Sequence, residues 1–413
     1  MKKKLRVGIL FGGRSGEHEV SLLSAASVLK AINPRKYDVV AIGITKQGRW
    51  VTSHDAQTLL CGEDAKTLAP GHDPRALTPV AQLRVGDPAA TAPAAVLRRG
   101  ESVIVPPVPA KAGEASSLAP LQIQASADLT APTDALDIDV VFPVLHGTFG
   151  EDGTIQGLFE LADIAYVGSG VLGSSAGMDK DVMKRLFLAV GLPIVKHVTL
   201  LRSEWQNDTK KCIKRIENAL KYPVFVKPAN LGSSVGISKV RNRAELAPAM
   251  DLAASFDRKL VIEQGVGGAK GKPRELEVAV LGNDSPEASV VGEIVPGKEF
   301  YDYEAKYLSE GSVPIIPAKL TKAQSKQVRE MAVAAFKACD CAGLARVDFL
   351  MQPGKHGKIY LNEINTMPGF TSISMYPKLW AASGLAYSKL IDRLLALALE
   401  RHKEKQQTQF SRP

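Results

Sequence analysis

The stretch Val7-Gly8-Ile9-Leu10-Phe11-Gly12-Gly13 determines how the first part of this 413-residue chain folds. A short apolar run that ends at two glycines is typical of a buried β-strand. Residues 21–32 then carry apolar side chains at helical spacing, and Asn33-Pro34 ends the predicted helix. Residues 38–44 form a second apolar run. A strand, a helix and a strand at this spacing predict a right-handed βαβ unit with a parallel sheet.

The same pattern returns after a long interruption. Residues from about 53 to 135 are rich in alanine and proline and have weak periodicity, which predicts an insertion of short strands and loops. Residues 138–144 then predict a buried strand, residues 151–161 a helix, and residues 165–167 a short strand. We therefore expect residues 1–168 to form one α/β domain.

After about residue 170 the chain predicts two α+β units. Helices are predicted over residues 178–190 and 321–339. Strands are predicted over residues 224–228, 236–240, 259–263, 276–281, 345–350 and 358–361. The expected domains are residues 169–263 and residues 264–413.

Composition restricts the class of protein. Apolar residues at 45% and charged residues at 23% are ordinary for a globular chain. The net charge of +9 favours small anions over nucleic acid, because no dense basic run with interleaved aromatic residues is present. The four cysteines match neither a zinc pattern nor a C-x-x-C motif, as expected for reduced thiols. No apolar run is long enough for a signal peptide or a membrane span, so we expect a soluble cytoplasmic protein.

The segment Gly168-Ser169-Gly170-Val171-Leu172-Gly173 matches the G-x-G-x-x-G pattern of dinucleotide-binding proteins. That fingerprint also requires an acidic residue about 20 positions later, at the end of the next strand. Residues 186–193 offer no such residue and are typical of a helix end. The sequence therefore argues against a nicotinamide-dependent dehydrogenase.

A glycine- and serine-rich loop, Asn230-Leu231-Gly232-Ser233-Ser234-Val235-Gly236, joins two predicted strands. Small residues allow backbone N–H groups to approach phosphate oxygens, and Lys227 just before the loop can neutralise phosphate charge. A plain hairpin with a surface lysine is equally consistent with this loop alone. It is not a P-loop, because the G-x-x-x-x-G-K-[ST] pattern is absent.

Two predicted strands carry polar residues that alternation places on one face of each strand. Arg346 and Asp348 share a face of the first strand, and Glu363 and Asn365 follow the second. If these strands pair, two carboxylates and an amide converge, and their oxygens suit Mg²⁺. The alternative is a pair of solvated sheet faces with ordinary salt bridges. The apolar neighbours of these residues favour the metal site.

Three further segments are candidates for a ligand site. Residues 300–307, Phe-Tyr-Asp-Tyr-Glu-Ala-Lys-Tyr, form either a surface loop or a lid that excludes water. Residues 12–19 follow the first strand, where open α/β sheets place ligands. There Glu17 could hold an ammonium group, whereas His18 is better explained by a structural role. Residues 146–153 follow a later strand in the same way.

Taken in order, these segments resemble the D-alanine–D-alanine ligases of the ATP-grasp superfamily. The resemblance rests on residues 12–21, 146–153, 168–180, 227–236, 300–307, 346–348 and 363–374. It covers nearly the whole chain except about 53 to 135. It implies a fold class of α/β and α+β, with a Rossmann-like amino-terminal domain followed by a two-domain ATP-grasp fold.

The resemblance also implies an ATP site. Lys180 and Lys227 would bind the phosphates, and Ser233 and Ser234 would cover them. The remaining residues expected to contact ATP, from the adenine hinge, the ribose site and the lid, are Glu263, Gln264, Val266, Glu275, Phe300 and Lys306.

The resemblance further implies a catalytic centre with two Mg²⁺ or Mn²⁺ ions. The metal ligands would be Asp348, Glu363 and Asn365, while Arg346 and the Gly369 N–H would stabilise the reacting groups. Amino-acid binding would use Glu17 and His146 for the first D-alanine and Ser374 for the second, and Met375 would also contact substrate. Glu17, Ser233 and Tyr307 would form a hydrogen-bonded set that ties the lid to the site.

The implied reaction joins two D-alanines through a D-alanyl phosphate for peptidoglycan synthesis, in a homodimeric enzyme with neither nucleic acid nor membrane as partner. A D-alanine–D-lactate ligase or another ATP-grasp carboxylate–amine ligase is the alternative, and Tyr307 favours the dipeptide product. A nucleotide-binding regulator would not need the phosphoryl-transfer residues Arg346, Asp348, Glu363 and Asn365.

Overall fold

The computed structural model describes residues 4–52, 56, 59–60, 138–233, 235–267, 271–295, 313–354, 357–371 and 373–409. Almost all of the predicted insertion at residues 53–135 therefore lies outside the described residues. No helix in these ranges combines the length and the apolar character needed to cross a membrane.

The amino-terminal part of the chain folds around a five-stranded sheet. Its elements are β1 (Leu5–Gly12), α1 (His18–Ala31), β2 (Tyr37–Ile44), β3 (Trp50–Thr52), β4 (Val140–Val144), α2 (Thr154–Leu161) and β5 (Ala165–Tyr166). The strand order is β3-β2-β1-β4-β5, and β1 lies parallel to both β2 and β4. The predicted βαβ unit with a parallel sheet is confirmed. At the turn after β1, a β-carbon on Gly12 would lie 2.1 Å from the Ile44 carbonyl oxygen, so this turn requires glycine.

The middle of the chain contains a four-stranded antiparallel sheet with the order β6-β9-β7-β8. Its elements, with the two helices before it, are α3 (Val171–Met178), α4 (Lys180–Ala189), β6 (His197–Leu201), α5 (Arg202–Asn207), α6 (Thr209–Ala219), β7 (Val224–Pro228), β8 (Ser238–Val240), α7 (Arg243–Phe256) and β9 (Lys259–Gln264). The strand predicted from residue 236 begins two residues later, because Gly236 has a φ of 71°.

The carboxyl-terminal part contains a five-stranded antiparallel sheet with the order β12-β11-β10-β13-β14. Its elements are β10 (Arg274–Gly282), β11 (Glu287–Val295), β12 (Val313–Ile315), α8 (Lys322–Ala338), β13 (Gly343–Met351), β14 (Ile359–Asn365), α9 (Met375–Ala382) and α10 (Tyr387–Lys405). The sequence placed Glu363 and Asn365 after a strand, but both lie within β14, which pairs with β13 as far as Asn365.

Side-chain caps determine where two of the helices begin. Asp179 accepts hydrogen bonds from the backbone N–H groups of Asp181 and Val182, both 3.0 Å long. This cap separates α3 from α4, so the single helix predicted from residue 178 starts instead at Lys180. Thr321 and Gln324 form a capping box at the start of α8, where the sequence predicted a helix from residue 321.

The hydrophobic cores connect elements that are distant in the chain. One core packs the first sheet against α9 and α10, and Phe142 and Phe370 lie in it with ring centroids 5.4 Å apart. A second core packs Met183 and Phe187 of α4 against the sheet that contains β10 and β13. Helix α4, which lies in the predicted domain at residues 169–263, therefore shares a core with the carboxyl-terminal sheet.

We predict that Leu390→Ala lowers the free energy of unfolding by about 2–5 kcal/mol, because it leaves a cavity in the first core. Leu390 on α10 is 0% exposed, whereas Leu161 on α2 is 88% exposed. Leu161→Ala, the matched control, should change stability by less than about 0.5 kcal/mol. Denaturant unfolding followed by circular dichroism is the measurement, and equal effects of the two substitutions would contradict the packing described here.

Candidate active site

Four polar side chains meet on one face of the paired strands β13 and β14. The register places Arg346 opposite Asn365 and Asp348 opposite Glu363. Arg346 donates two hydrogen bonds of 2.7 Å to Asp348, one to each carboxylate oxygen. Asn365 Nδ2 also donates to Asp348 Oδ2, at 3.1 Å. The convergence expected from strand alternation is confirmed, with Asp348 at its centre.

A further carboxylate of this face belongs to Glu277 on β10, which the sequence analysis did not single out. The register places Glu277 opposite Asp348, and its Oε2 lies 3.2 Å from Arg346 Nε. The Arg346 guanidinium therefore lies between two carboxylates. Glu275 and Glu277 are two residues apart in the sequence, as expected for side chains on one face of a strand. This spacing, combined with the pairing of β10 and β13, could have revealed Glu277 as part of the site.

The donor set at this face suits a hard divalent cation. Asp348, Glu363 and Asn365 offer two carboxylates and an amide oxygen on adjacent strands, which is the chemistry of a Mg²⁺ or Mn²⁺ site shared with phosphate oxygens. Within the described ranges, no group of three or more His, Cys, Asp or Glu side chains is arranged to hold a metal. Because Arg346 holds Asp348, a cation bound there would share this carboxylate with the guanidinium.

A buried charge cluster lies where α4, β7 and β9 meet. Lys227 Nζ is 2.8 Å from Glu263 Oε2, and Lys184 Nζ is 3.0 Å from Glu263 Oε1. Lys184 was missed by the sequence analysis. The buried residues of α4 include positions 180, 183, 184 and 187, which is the spacing of one helix face, so a lysine on the apolar face was the signal.

The pKa values of this cluster reflect the competition between burial and pairing. Burial acts to raise the pKa of the Glu263 carboxyl, but Lys184 and Lys227 outweigh it and lower that pKa to about 2. Burial opposes the charge of Lys227, but the Glu263 and Glu363 carboxylates raise its pKa overall. The cluster also contacts β14, because Lys184 Nζ donates a hydrogen bond of 3.2 Å to the carbonyl oxygen of Asn362, the residue before Glu363.

The glycine- and serine-rich loop after β7 reaches the amino-terminal part of the chain. Ser233 Oγ donates a hydrogen bond to Glu17 Oε1, and a β-carbon on Gly232 would lie 2.7 Å from Glu17 Oε2. Two residues before Ser233, the Leu231 carbonyl oxygen accepts a hydrogen bond from Lys180 Nζ at 2.6 Å. The expected pairing of Ser233 with Glu17 is confirmed.

Glu17 is the residue immediately before α1. It is buried, and a β-carbon on Gly147 would lie 2.5 Å from its Oε2. The adjacent His18 is also buried, and its Nδ1 is 2.7 Å from the Gly13 carbonyl oxygen. This contact agrees with the structural role expected for His18.

His146 joins the amino-terminal part to the segment after β14. Its Nδ1 lies 3.0 Å from the Met367 carbonyl oxygen, which can only accept, so Nδ1 carries the proton. Nε2 is then an acceptor for Ser24 Oγ at 3.0 Å, and Ser24 Oγ in turn accepts from the Phe370 N–H at 3.2 Å. Burial lowers the pKa of His146, against the opposing charge of Glu17, in agreement with a neutral imidazole.

Glu151 holds the same two segments together from another side. Its carboxylate accepts from the Gly147 N–H at 2.7 Å and from the Met367 N–H at 3.2 Å. Burial and the nearby Glu17 carboxylate raise the pKa of Glu151 to about 8, although both hydrogen bonds oppose that shift. Glu151 lies in the segment 146–153, which was predicted as a candidate ligand site without a role for this carboxylate.

The segment after β14 leads to the residues predicted for the second amino acid. Ser374 accepts a hydrogen bond from the Thr371 N–H at 3.0 Å and pairs with the Thr371 hydroxyl at 2.8 Å, and α9 starts at Met375. Gly369 lies one residue before the buried Phe370, so the contact from Ser24 to Phe370 also positions Gly369.

The predicted adenine hinge continues from β9. The Gln264 N–H donates to the Lys196 carbonyl oxygen, and the Gly265 N–H donates to the Pro223 carbonyl oxygen. Val266 follows. Glu275 is the second residue of β10 and lies opposite Leu350 of β13. The predicted contacts of Ser234, Phe300, Lys306 and Tyr307 lie outside the described residues.

Comparison with known proteins identifies the family. Family models described as "D-ala D-ala ligase N-terminus" and "D-ala D-ala ligase C-terminus" match residues 6–169 and 186–396. This chain belongs to the D-alanine–D-alanine ligase family. The family resemblance given above is confirmed.

Relatives match the chain over almost its whole length. It is 46% identical to the D-alanine–D-alanine ligase of Natranaerobius thermophilus over 413 residues, 99% of both chains. Among solved structures, the D-alanine–D-alanine ligase of Coxiella burnetii has a TM-score of 0.72 at 32% identity and covers 98% of this chain and 96% of its own. The VanG D-Ala:D-Ser ligase of Enterococcus faecalis has a TM-score of 0.71 at 34% identity, covering 96% and 100%. The ATP-grasp fold expected for the ligase family is confirmed.

The G-x-G-x-x-G segment of this ligase-family chain has a packing explanation. A β-carbon on Gly173 would lie 2.4 Å from the Asp340 carbonyl oxygen, and one on Gly168 would lie 3.2 Å from the Met367 side chain. These glycines allow α3, and the segment that joins β5 to α3, to approach the carboxyl-terminal part of the chain closely. The contacts give the motif a role in packing.

We predict that Glu151→Gln becomes progressively more stable than the parent as pH rises from about 5 to about 8. The folded-state pKa of Glu151 is raised from 4.5 to about 8. Its protonated form therefore contributes stability that is complete below the unfolded-state value and is lost as pH rises through the folded-state value. Glutamine is uncharged throughout and resembles the protonated carboxyl.

Denaturant midpoints of Glu151→Gln and the parent across this pH range are the measurement. Glu330→Gln, at a carboxylate whose side chain is 66% exposed, is the control and should give a difference that does not change with pH. A pH-independent difference for Glu151→Gln would contradict the raised pKa.

Proposed function

We propose that this protein is an ATP-dependent D-alanine–D-alanine ligase that produces D-alanyl-D-alanine, ADP and phosphate. The observation that carries the proposal is the link between the two halves of the site: Lys184 shares Glu263 with Lys227 and donates a hydrogen bond to the Asn362 carbonyl oxygen, next to Glu363. A divalent cation at β13 and β14 and a nucleotide phosphate at Lys227 would therefore be neighbours. The family membership gives the reaction.

The nucleotide would lie between the middle and carboxyl-terminal sheets. Lys180 donates a hydrogen bond to Leu231 of the loop after β7, and Lys227 lies in β7 just before that loop. Both would supply positive charge for the phosphates. Ser233, with Ser234 beside it in the sequence, supplies hydroxyl donors. The adenine and ribose would contact the hinge and the start of β10, through Glu263, Gln264, Val266 and Glu275, and Phe300 and Lys306 would complete the site.

Asp348, Glu363 and Asn365 would hold two Mg²⁺ or Mn²⁺ ions. When bound, these ions offset the negative charge of the phosphate groups. Arg346, fixed between Glu277 and Asp348, would place its guanidinium against the transferring phosphoryl group. Its two carboxylate contacts hold the guanidinium in one orientation before any substrate binds.

The first D-alanine would bind with its ammonium at Glu17 and its carboxylate towards the metal face. A carboxylate oxygen attacks the γ-phosphorus of ATP, the bond to the bridging oxygen breaks, and ADP leaves with that electron pair. The product is D-alanyl phosphate. His146 has both ring nitrogens engaged, so we propose that it acts mainly by holding the Met367 backbone next to this carboxylate.

The second D-alanine would bind its carboxylate at Ser374 and Met375 and attack as the free amine. Its nitrogen forms a bond with the acyl carbon, and the developing oxyanion receives the Gly369 N–H and Arg346 as donors. The tetrahedral intermediate then expels phosphate, which takes up the extra proton from the nitrogen. The lid at residues 300–307 would exclude water from the acyl phosphate.

The second substrate is where family members differ, as the D-Ala:D-Ser ligase among the structural relatives illustrates. Tyr307 favours D-alanine, because a neutral phenol tolerates an arriving ammonium group, whereas a lysine would attract the carboxylate of D-lactate. We further propose that the enzyme is a cytoplasmic homodimer that supplies peptidoglycan synthesis, as the family resemblance implies.

We predict that phosphate release requires ATP, Mg²⁺ and D-alanine together, and that L-alanine does not replace D-alanine. The reason is that the ammonium at Glu17 and the carboxylate at the metal face would fix two substituents of the first amino acid, so the L enantiomer would place its methyl group where D-alanine has its α-hydrogen. A coupled phosphate assay with mass spectrometry of the products, including mixtures with D-lactate and D-serine, is the measurement. Equal turnover with L-alanine, or a mainly depsipeptide product, would refute this assignment.

Asp348→Asn and Glu363→Gln should each lower kcat by roughly 100-fold or more, since each removes several kcal/mol of charge stabilisation from the transition state. Asp284→Asn, at an exposed carboxylate in the turn between β10 and β11 of the same sheet, is the control and should keep parent activity. Circular dichroism should be unchanged in all three variants. Near-parent kcat at saturating Mg²⁺ in either site variant would remove the basis of the metal assignment.

A further inference from the structure

Lys184 is a buried charged residue to which the proposed reaction assigns no role. It lies on the inner face of α4 and is 0% exposed. Burying an ammonium group costs free energy unless it is paired, and even a paired one is often no more stabilising than an apolar residue. The position of Lys184 therefore needs an explanation beyond the packing of α4.

The contacts of Lys184 lead to the proposed nucleotide site. Its Nζ is 3.0 Å from Glu263 Oε1 and donates to the Asn362 carbonyl oxygen at 3.2 Å. The other oxygen of the same carboxylate, Oε2, accepts from Lys227 at 2.8 Å. Each lysine thus takes one oxygen of Glu263, and Asn362 is the neighbour of the proposed metal ligand Glu363.

The charge balance of the three residues depends on Lys184. Glu263 paired with Lys227 alone would form a neutral ion pair, and the carboxylate would cancel the charge that the phosphates require. With Lys184 on the second oxygen, Lys184, Lys227 and Glu263 together carry two positive charges and one negative charge. The 3.0 Å contact with Glu263 Oε1 pairs the Lys184 ammonium group, although burial lowers the pKa of Lys184 overall.

We propose that Lys184 is a positioning residue that acts through Glu263, so that the buried cluster keeps a net positive charge and Lys227 remains directed at the phosphates of ATP. The inference rests on the proposed function, because it assumes that ATP phosphates bind at Lys227. Its chemical consequence is specific: Glu263 would also contact the adenine, so the effect of Lys184 on the phosphates is measured by the ratio of ATP affinity to adenosine affinity.

The test compares ATP with adenosine, which lacks phosphates, by isothermal titration calorimetry of the full chain with Mg²⁺ and without D-alanine. Lys184→Met should weaken ATP binding about tenfold, the effect of removing one charge at short range in a partly screened site. Adenosine binding should change less than about twofold. Lys184→Arg, which keeps the charge, should retain most of the preference for ATP.

The double variant Lys184→Met, Glu263→Gln separates charge from packing and remains informative if Lys184→Met alone fails to fold. It removes one positive and one negative charge and leaves Lys227 as the charge of the cluster, so its ratio of ATP to adenosine affinity should return towards that of the parent. A parent-like ratio in Lys184→Met, an equal loss of both ligands, or a low ratio in the double variant would overturn the role of Lys184. A parent that does not prefer ATP to adenosine would instead refute the proposed function itself, and the inference with it.

Discussion

The antiparallel register of β10, β13 and β14 is the constraint on which the site depends. Three neighbouring strands place Glu277, Asp348 and Glu363 in one row, because each residue is paired with the next across the sheet. A slip of one residue in either pairing would turn one strand's polar side chains to the opposite, apolar face, where their burial without partners is costly. Arg346 lies two residues before Asp348 on the same face of β13, so the same register fixes its position. The sheet therefore creates the electrostatics of the site before any ligand binds.

The other half of the site depends on contacts between parts of the chain far apart in sequence. Ser24, His146 and Glu151 all bind the backbone between Met367 and Phe370. Ser233 reaches Glu17 from the middle of the chain. These contacts place the proposed ammonium site, the proposed oxyanion donor and the phosphate loop against one another. They also make the amino-terminal part a component of the proposed reaction centre, and the same burial, with the nearby Glu17 carboxylate, raises the pKa of Glu151.

The sequence was sufficient to predict those parts of the fold and of the site that local patterns of residues determine. Apolar runs and glycines predicted the βαβ unit, and alternation predicted the shared face of Arg346 and Asp348. The predicted positions of helix ends were less accurate, because side-chain caps such as Asp179 determine where a helix begins. Lys184 and Glu277 were missed for a different reason: their roles arise from tertiary contacts with Glu263 and Arg346, and local patterns do not show which partner a buried charge will find. The functional assignment needed the order of several weak motifs along the chain.

The central claim is that the site activates a carboxylate as an acyl phosphate, and oxygen transfer tests it most directly. D-Alanine labelled with ¹⁸O in both carboxylate oxygens is incubated with the enzyme, ATP and Mg²⁺, and the released phosphate is analysed by mass spectrometry. If the carboxylate attacks the γ-phosphorus, one ¹⁸O atom per turnover passes into phosphate, because the acyl carbon–oxygen bond breaks when the second amine attacks. Phosphate without ¹⁸O, released together with the dipeptide, would contradict the account.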